Sequence, residues 1–245
     1  MSNSRVLGLA LAVMFVAGAV TAVGAYASEP AFYECAKVSG GKYEKGCGKE
    51  GGKGGYVLRE GVGSKPAFKG KGGKATLHTP AVSGEITCGS FKDSGKLSGP
   101  KTEDKIVSIF SKCTSLGKNC NSPGEKKGTI ETKDLAGELG YISASKHEVG
   151  VDLKPESGER LAEFECEGLS IVVTGSVIGQ VTPVNTFSKE ATVAFEVNSE
   201  KFQKYTALEG QPEDVLETAI NGTGPYASGQ ECAAVDKGEE LEIKA

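Results

Sequence analysis

The chain has 245 residues, 38% hydrophobic and 24% charged, with a formal net charge of −4 and no tryptophan. That length buries a real core in one large or two small domains, which excludes a disordered chain or a miniprotein held by disulfides alone. The mild acidity argues against a general nucleic-acid binder, and seven cysteines beside only two histidines leave few sets of metal ligands.

Residues 1–27 read as a signal peptide. Arg5 is followed by the uncharged run 6–24 and by the small-residue site Ala25-Tyr26-Ala27. The competing reading is a retained anchor, since the run is near the ~18-residue threshold for spanning; its small residues and A-x-A ending favour cleavage. No second apolar run occurs, so no stable membrane span is expected after cleavage. The expected location is secreted, extracellular or associated with the cell surface.

Residues 28–74 form a Cys-tied, Gly/Lys-rich segment that belongs to the same domain as residues 75–245. Positions 39–74 hold thirteen glycines and nine basic residues against three acidic ones. Such a stretch buries little apolar surface, so long mobile loops are expected, with edge strands at Tyr56-Val57-Leu58 and Ala67-Phe68. Within it "GCGKEG" matches the G-x-G-x-x-G spacing through Gly46, Gly48 and Gly51. A dinucleotide site needs a buried strand before that turn and a helix after it. "SGGKYEK" is a poor buried strand and "GKGGYV" a poor helix start, so no nucleotide cofactor is expected. "KGKGGKAT" fails as a phosphate loop because Ala75 follows Lys74 where Ser or Thr is required.

Residues 75–245 read as an antiparallel β domain. "EVGVDL" sets Val149, Val151 and Leu153 on one face; "LAEFECEG" sets Ala162, Phe164 and Cys166 inward and Glu163 and Glu165 outward; "ATVAFEVN" sets Ala191, Val193, Phe195 and Val197 together. In "KIVSIFSKC" the same parity puts Val107, Ile109 and Cys113 on one face. "PEDVLETAING" fits a short helix, or a strand carrying Val215, Glu217 and Ala219. This period of two, broken by Gly, Pro, Asn and Ser clusters, predicts an all-β protein: an antiparallel β-sandwich or partly open barrel with a Gly/Lys-rich loop region near the N-terminus.

In an oxidising compartment the cysteines read first as disulfides. Cys35 and Cys47 flank a hairpin, where a bridge would contribute about 3 kcal/mol in the chain-entropy model. Cys113 and Cys120 flank the turn "TSLGKN". Cys88 and Cys166 occupy core-facing strand positions, bridging strands or remaining reduced. Cys232 is the unpaired one. No metal site is expected.

Six lysines, Lys45, Lys49, Lys53, Lys69, Lys71 and Lys74, form a cationic stretch able to contact an anionic surface polymer; a solvated loop is the competing reading. Aromatic residues are too sparse there for nucleic-acid stacking. Glu163 and Glu165 are spaced as a glycosidase pair would be, yet two outward glutamates on a strand describe a solvated face equally well. His78 and His147 read as surface residues. No catalytic constellation is found, so the reading leans towards a non-enzymatic protein.

"GEITCGS" (84–90), "CTSLGKNCNSPG" (113–124), "LAGELGYI" (135–142) and "AEFECEGLSIVVTGSVIGQVTPVN" (162–185) together resemble a family of exported actinobacterial proteins, often present in many related copies per genome. The resemblance spans most of 30–245. It implies a signal peptide, an all-β body and no assigned activity, and it carries over no catalytic residue. Cys232 and the Gly/Lys-rich 45–74 depart from the family pattern. The expected function is an extracellular or cell-surface binding or structural module; the alternative is a secreted hydrolase of a cell-wall or environmental polymer.

Overall fold

The structure, a computed structural model, describes residues 29–51, 54–63, 66–80 and 84–245. The signal-peptide reading and Lys53 lie outside the described residues. In chain order the strands are β1 (Ala31–Lys37), β2 (Tyr56–Glu60), β3 (Ala67–Gly72), β4 (Ala75–His78), β5 (Ile86–Cys88), β6 (Ser90–Leu97), β7 (Thr102–Ser111), β8 (Thr114–Ser115), β9 (Lys118–Asn121), β10 (Thr129–Glu131), β11 (Leu135–Ser143), β12 (Glu148–Pro155), β13 (Arg160–Cys166), β14 (Leu169–Thr174), β15 (Val177–Thr182), β16 (Phe187–Phe195), β17 (Glu217–Ile220), β18 (Thr223–Ala227) and β19 (Gly229–Lys244).

Eight of them, β3, β6, β7, β11, β12, β15, β16 and β19, close into an antiparallel barrel in which each strand pairs with the next and β19 returns to β3. The all-β antiparallel expectation holds, and of the two architectures expected the chain builds the barrel. Closure removes the open edges that a partly open sheet would leave.

The four links β3→β6, β7→β11, β12→β15 and β16→β19 all leave from one end of this up-and-down barrel, and each carries additional strands. These strands pair with one another in the order β18-β17-β14-β13-β9-β8-β5-β4, and β4 joins the start of β19. Their apolar residues Leu77, Ile86, Phe164 and Ile171, with Leu216 just before β17, are buried and cap that end of the barrel. At the other end β1 pairs with both β2 and the tail of β19, and it buries Phe32.

Several sequence expectations are corrected. Ala67–Gly72 is not a loop with an edge strand but a central barrel strand, paired on both sides by β6 and β19. Its Lys69 and Lys71 point outward while Phe68, Gly70 and Gly72 point in, so the glycines that look like loop punctuation serve as space-makers. A Cβ on Gly72 would come within 2.0 Å of the Phe91 ring. In β7 the inward residues are Ile106, Ser108 and Phe110, not Val107 and Ile109; Ile109 is 41% exposed. Lys105 has φ +52°, and the β6–β7 register shifts beside it, which turns the parity over by one residue. "PEDVLETAING" yields strand β17, whose buried face is Thr218 and Ile220, continued by the buried Leu216 just before it and opposite to the parity expected.

Cys113 and Cys120 do not join to each other across their turn. The bridges are Cys35–Cys47, Cys88–Cys113 and Cys120–Cys166, and Cys232 is free. Strand register explains the last two. Thr87 pairs with Thr114, which brings Cys88 opposite Cys113, and Cys166 pairs directly with Cys120. Their Cα atoms lie 3.9 and 4.1 Å apart, so each bridge links cysteines facing each other on neighbouring strands. "GCGKEG" forms a turn in the segment between β1 and β2, with Gly46 at φ +85° and Cys47 at φ +52° and the Cys47 N–H donating to the Glu44 carbonyl at 3.0 Å.

Candidate functional site: an acid-lined barrel cavity

Between the barrel and its cap lies a cavity of about 130 Å³. Barrel residues Phe91, Ile106, Val151, Val193 and Phe195 line it with Ile86 and Phe164 from the cap. A second cavity of about 80 Å³ runs towards Phe32 at the other end, and the two share Phe68, Glu103, Val151, Val193 and Asp236. Phe91 and Phe110 stack in a tilted arrangement with centroids 5.2 Å apart.

Where the cavities meet, three carboxyl groups from three strands converge: Asp93 of β6, Glu103 of β7 and Asp236 of β19. Asp93 and Asp236 are both register partners of Gly70, one on each side of it. Their Oδ1 atoms are buried and meet no N–H or O–H donor as carboxylates. Both atoms occupy the space above Gly70, where a Cβ would approach Asp93 Oδ1 to 1.7 Å and Asp236 Oδ1 to 2.0 Å. Glu103 reaches inward beside Gly137, whose missing Cβ leaves 3.2 Å to Oε2.

Burial dominates the electrostatics. It pushes the Asp93 carboxyl above the usual range. Burial first, and the Asp93 charge second, push Glu103 up to about 7. Burial, then Asp93 and Glu103, push Asp236 up to about 8. An ionised Asp93 accepting a proton held by Asp236 satisfies the two facing oxygens, the usual outcome for carboxyl groups that cannot both ionise at short range. Among the described residues no lysine, arginine or histidine lines the main cavity. Gly70→Ala drives a methyl group into this pair and is expected to cost about 1–3 kcal/mol; urea unfolding measures it, and a loss within the ~0.5 kcal/mol usual for surface changes would contradict the packing described.

Cys232 also lines the cavity, and burial pushes its thiol up to about 12, which removes it as a nucleophile at neutral pH. Among the described residues no group of three or more His, Cys, Asp or Glu is placed to hold a metal ion, and no helix is long and apolar enough to cross a membrane.

The other residues singled out from the sequence are spread over the surface and the cap. Lys45 and Lys49 are exposed in the Cys-tied segment and Lys74 is exposed before β4. Lys69 and Lys71 stand on the outer barrel wall beside Lys92 and Lys96 of β6 and Lys237 of β19, with Lys71 directly opposite Lys92. The cationic stretch is thus divided between elements, and part of it becomes a lysine face on the barrel. Glu163 pairs with Arg160 at 2.6 Å, and Glu165 accepts the Gly168 N–H at 2.9 Å in the β13–β14 turn, so both carboxylates have structural partners. His147 is exposed, as expected. His78 is not a surface residue. It is 5% exposed, with its two ring nitrogens each 3.1 Å from a carboxylate, Glu85 on one side and Glu231 on the other, which ties the cap to β19.

Sequence reasoning missed Asp93, Glu103 and Asp236. Each reads there as one more polar residue on a solvated strand. The available signal was the alternate-glycine strand "FKGKGG", whose inward glycines require large or paired groups opposite them. No family model, no curated protein and no solved structure matches the chain.

Proposed function

We propose that this is an exported, non-enzymatic binding module that holds a small, largely apolar ligand inside its barrel. The observation that carries the reading is the capped eight-stranded barrel with an apolar cavity and a few polar groups at one level, the usual anatomy of a small-ligand site. Three disulfides suit an oxidising compartment and support export. A closed ring of paired strands cannot admit a polymer chain from the side, which favours a small molecule over a cell-wall polymer as occupant. The cavity volume is of the order that takes up a single benzene ring, about 150 Å³.

The test is an NMR titration of the oxidised protein with neutral 2-phenylethanol, reading methyl signals. Saturable shifts are expected at Ile106, Leu135, Val151 and Val193. Shifts absent from these methyls, or confined to the surface, would defeat the reading.

A further inference from the structure

Glu103 is partly buried and lines both cavities. Among the described residues no hydrogen-bond donor and no basic side chain reaches its carboxylate. Asp93 and Asp236 add two further acids at the same level, their facing Oδ1 atoms relying on one shared proton. Buried carboxylates are ordinarily paired with a cation or with N–H donors, and among the described residues Glu103 has neither. These three acids are not arranged to enclose a metal ion. The rest of the wall is mostly apolar, with Phe91, Phe110, Ile130, Leu161 and Phe195 beside the polar Ser108, Thr132 and Gln230.

The geometry points to a small organic cation as the ligand: a protonated primary amine seated against Glu103, Asp93 and Asp236, with a compact apolar body of about one ring in the space under the cap. This rests on the cavity being a ligand site, as proposed above. The amine supplies the N–H donors that Glu103 lacks. The apolar end takes the ring, as aromatic and aliphatic side chains dominate the wall there. An anionic ligand is rejected by like charge, and a neutral alcohol of the same shape forgoes the charge-assisted contacts.

The experiment compares 2-phenylethylamine, 2-phenylethanol and 3-phenylpropanoate by calorimetry and NMR on the oxidised protein at pH 7.5. The amine is expected to bind at least ten-fold more tightly than the alcohol, and the acid most weakly. In Glu103→Gln the ratio of amine to alcohol affinity is expected to fall to about two-fold or less. Asp236→Asn, which keeps a donor towards Asp93, removes an acid from a second strand and is read by the same ratio, so a poorly folded Glu103→Gln does not block the test. An alcohol bound as tightly as the amine by the wild type overturns this inference while leaving the cavity reading intact, and so does a ten-fold preference surviving in both variants. Failure of the alcohol and the amine alike removes both.

Discussion

Thermal unfolding of the oxidised protein is expected to shift to lower temperature as pH rises from about 5 to 9. Glu103 and Asp236 have folded-state values of about 7 and about 8, against about 4 for the same groups in an unfolded chain. Between those limits the folded state binds more protons than the unfolded state, so stability falls with rising pH. Their contribution is fully present below about pH 4 and is lost as the pH passes through 7 and 8. The opposite trend applies at the acid end. Glu156 and Glu190 are held low, chiefly by hydrogen bonds from Lys105 and Lys237, and the stability they contribute is lost as they protonate. The maximum should therefore lie near pH 5. The fall on the alkaline side is on the order of a few kcal/mol, or roughly 10 °C in Tm for a domain of this size. Asp236→Asn removes the proton requirement and keeps a donor for Asp93, so its profile should be flatter and its Tm at pH 8.5 above wild type. A wild-type Tm that rises from pH 6 to 9, or an unchanged slope in Asp236→Asn, would show that the cluster is not the buried group described.

The second large effect is expected from the bridge between Cys120 and Cys166. It closes a separation of 46 residues and joins β9 to β13 in the cap, with both sulfur-bearing residues buried. Chain entropy alone assigns such a loop about 4 kcal/mol. Cys120→Ala/Cys166→Ala should lose at least that, since two buried side chains are also shortened. Cys35–Cys47 spans only 12 residues and ties the turn beside β1 and β2, so Cys35→Ala/Cys47→Ala should lose about 3 kcal/mol or less. Urea midpoints of the two double variants decide the order; equal or reversed losses would mean that the cap is not integral to the barrel core.

Both predictions depend on contacts that local pattern shows unevenly. The strands β12, β13 and β16 were legible because Val149, Val151, Ala162, Phe164, Val193 and Phe195 recur at every second position and are all buried. Strand β7 was legible as a strand but not in its facing, because one left-handed residue at Lys105 inverts the parity around Ile106 and Ile109. Strand β3 was hidden because its inward positions are glycine, and a missing side chain leaves no apolar signal. The architecture repeats four times, with two barrel strands joined through cap strands, yet no internal sequence repeat marks it, since backbone pairing needs no particular side chain at the repeated positions.

Residue order alone determined that this chain is all-β and antiparallel, and it set out an address and a redox expectation, because side-chain alternation, a leader-like run and cysteine number are local properties of covalent geometry and composition. Only the tertiary structure decided that the sheet closes, that Cys113 meets Cys88 and not Cys120, and that Asp93, Glu103 and Asp236 share one buried space. Closure and register arise from turns and bulges acting over the whole chain. A carboxylate on a strand looks the same in sequence whether its face meets water or the interior of a barrel; here three of them face inward, and burial turns ordinary acids into the most distinctive chemistry of the molecule.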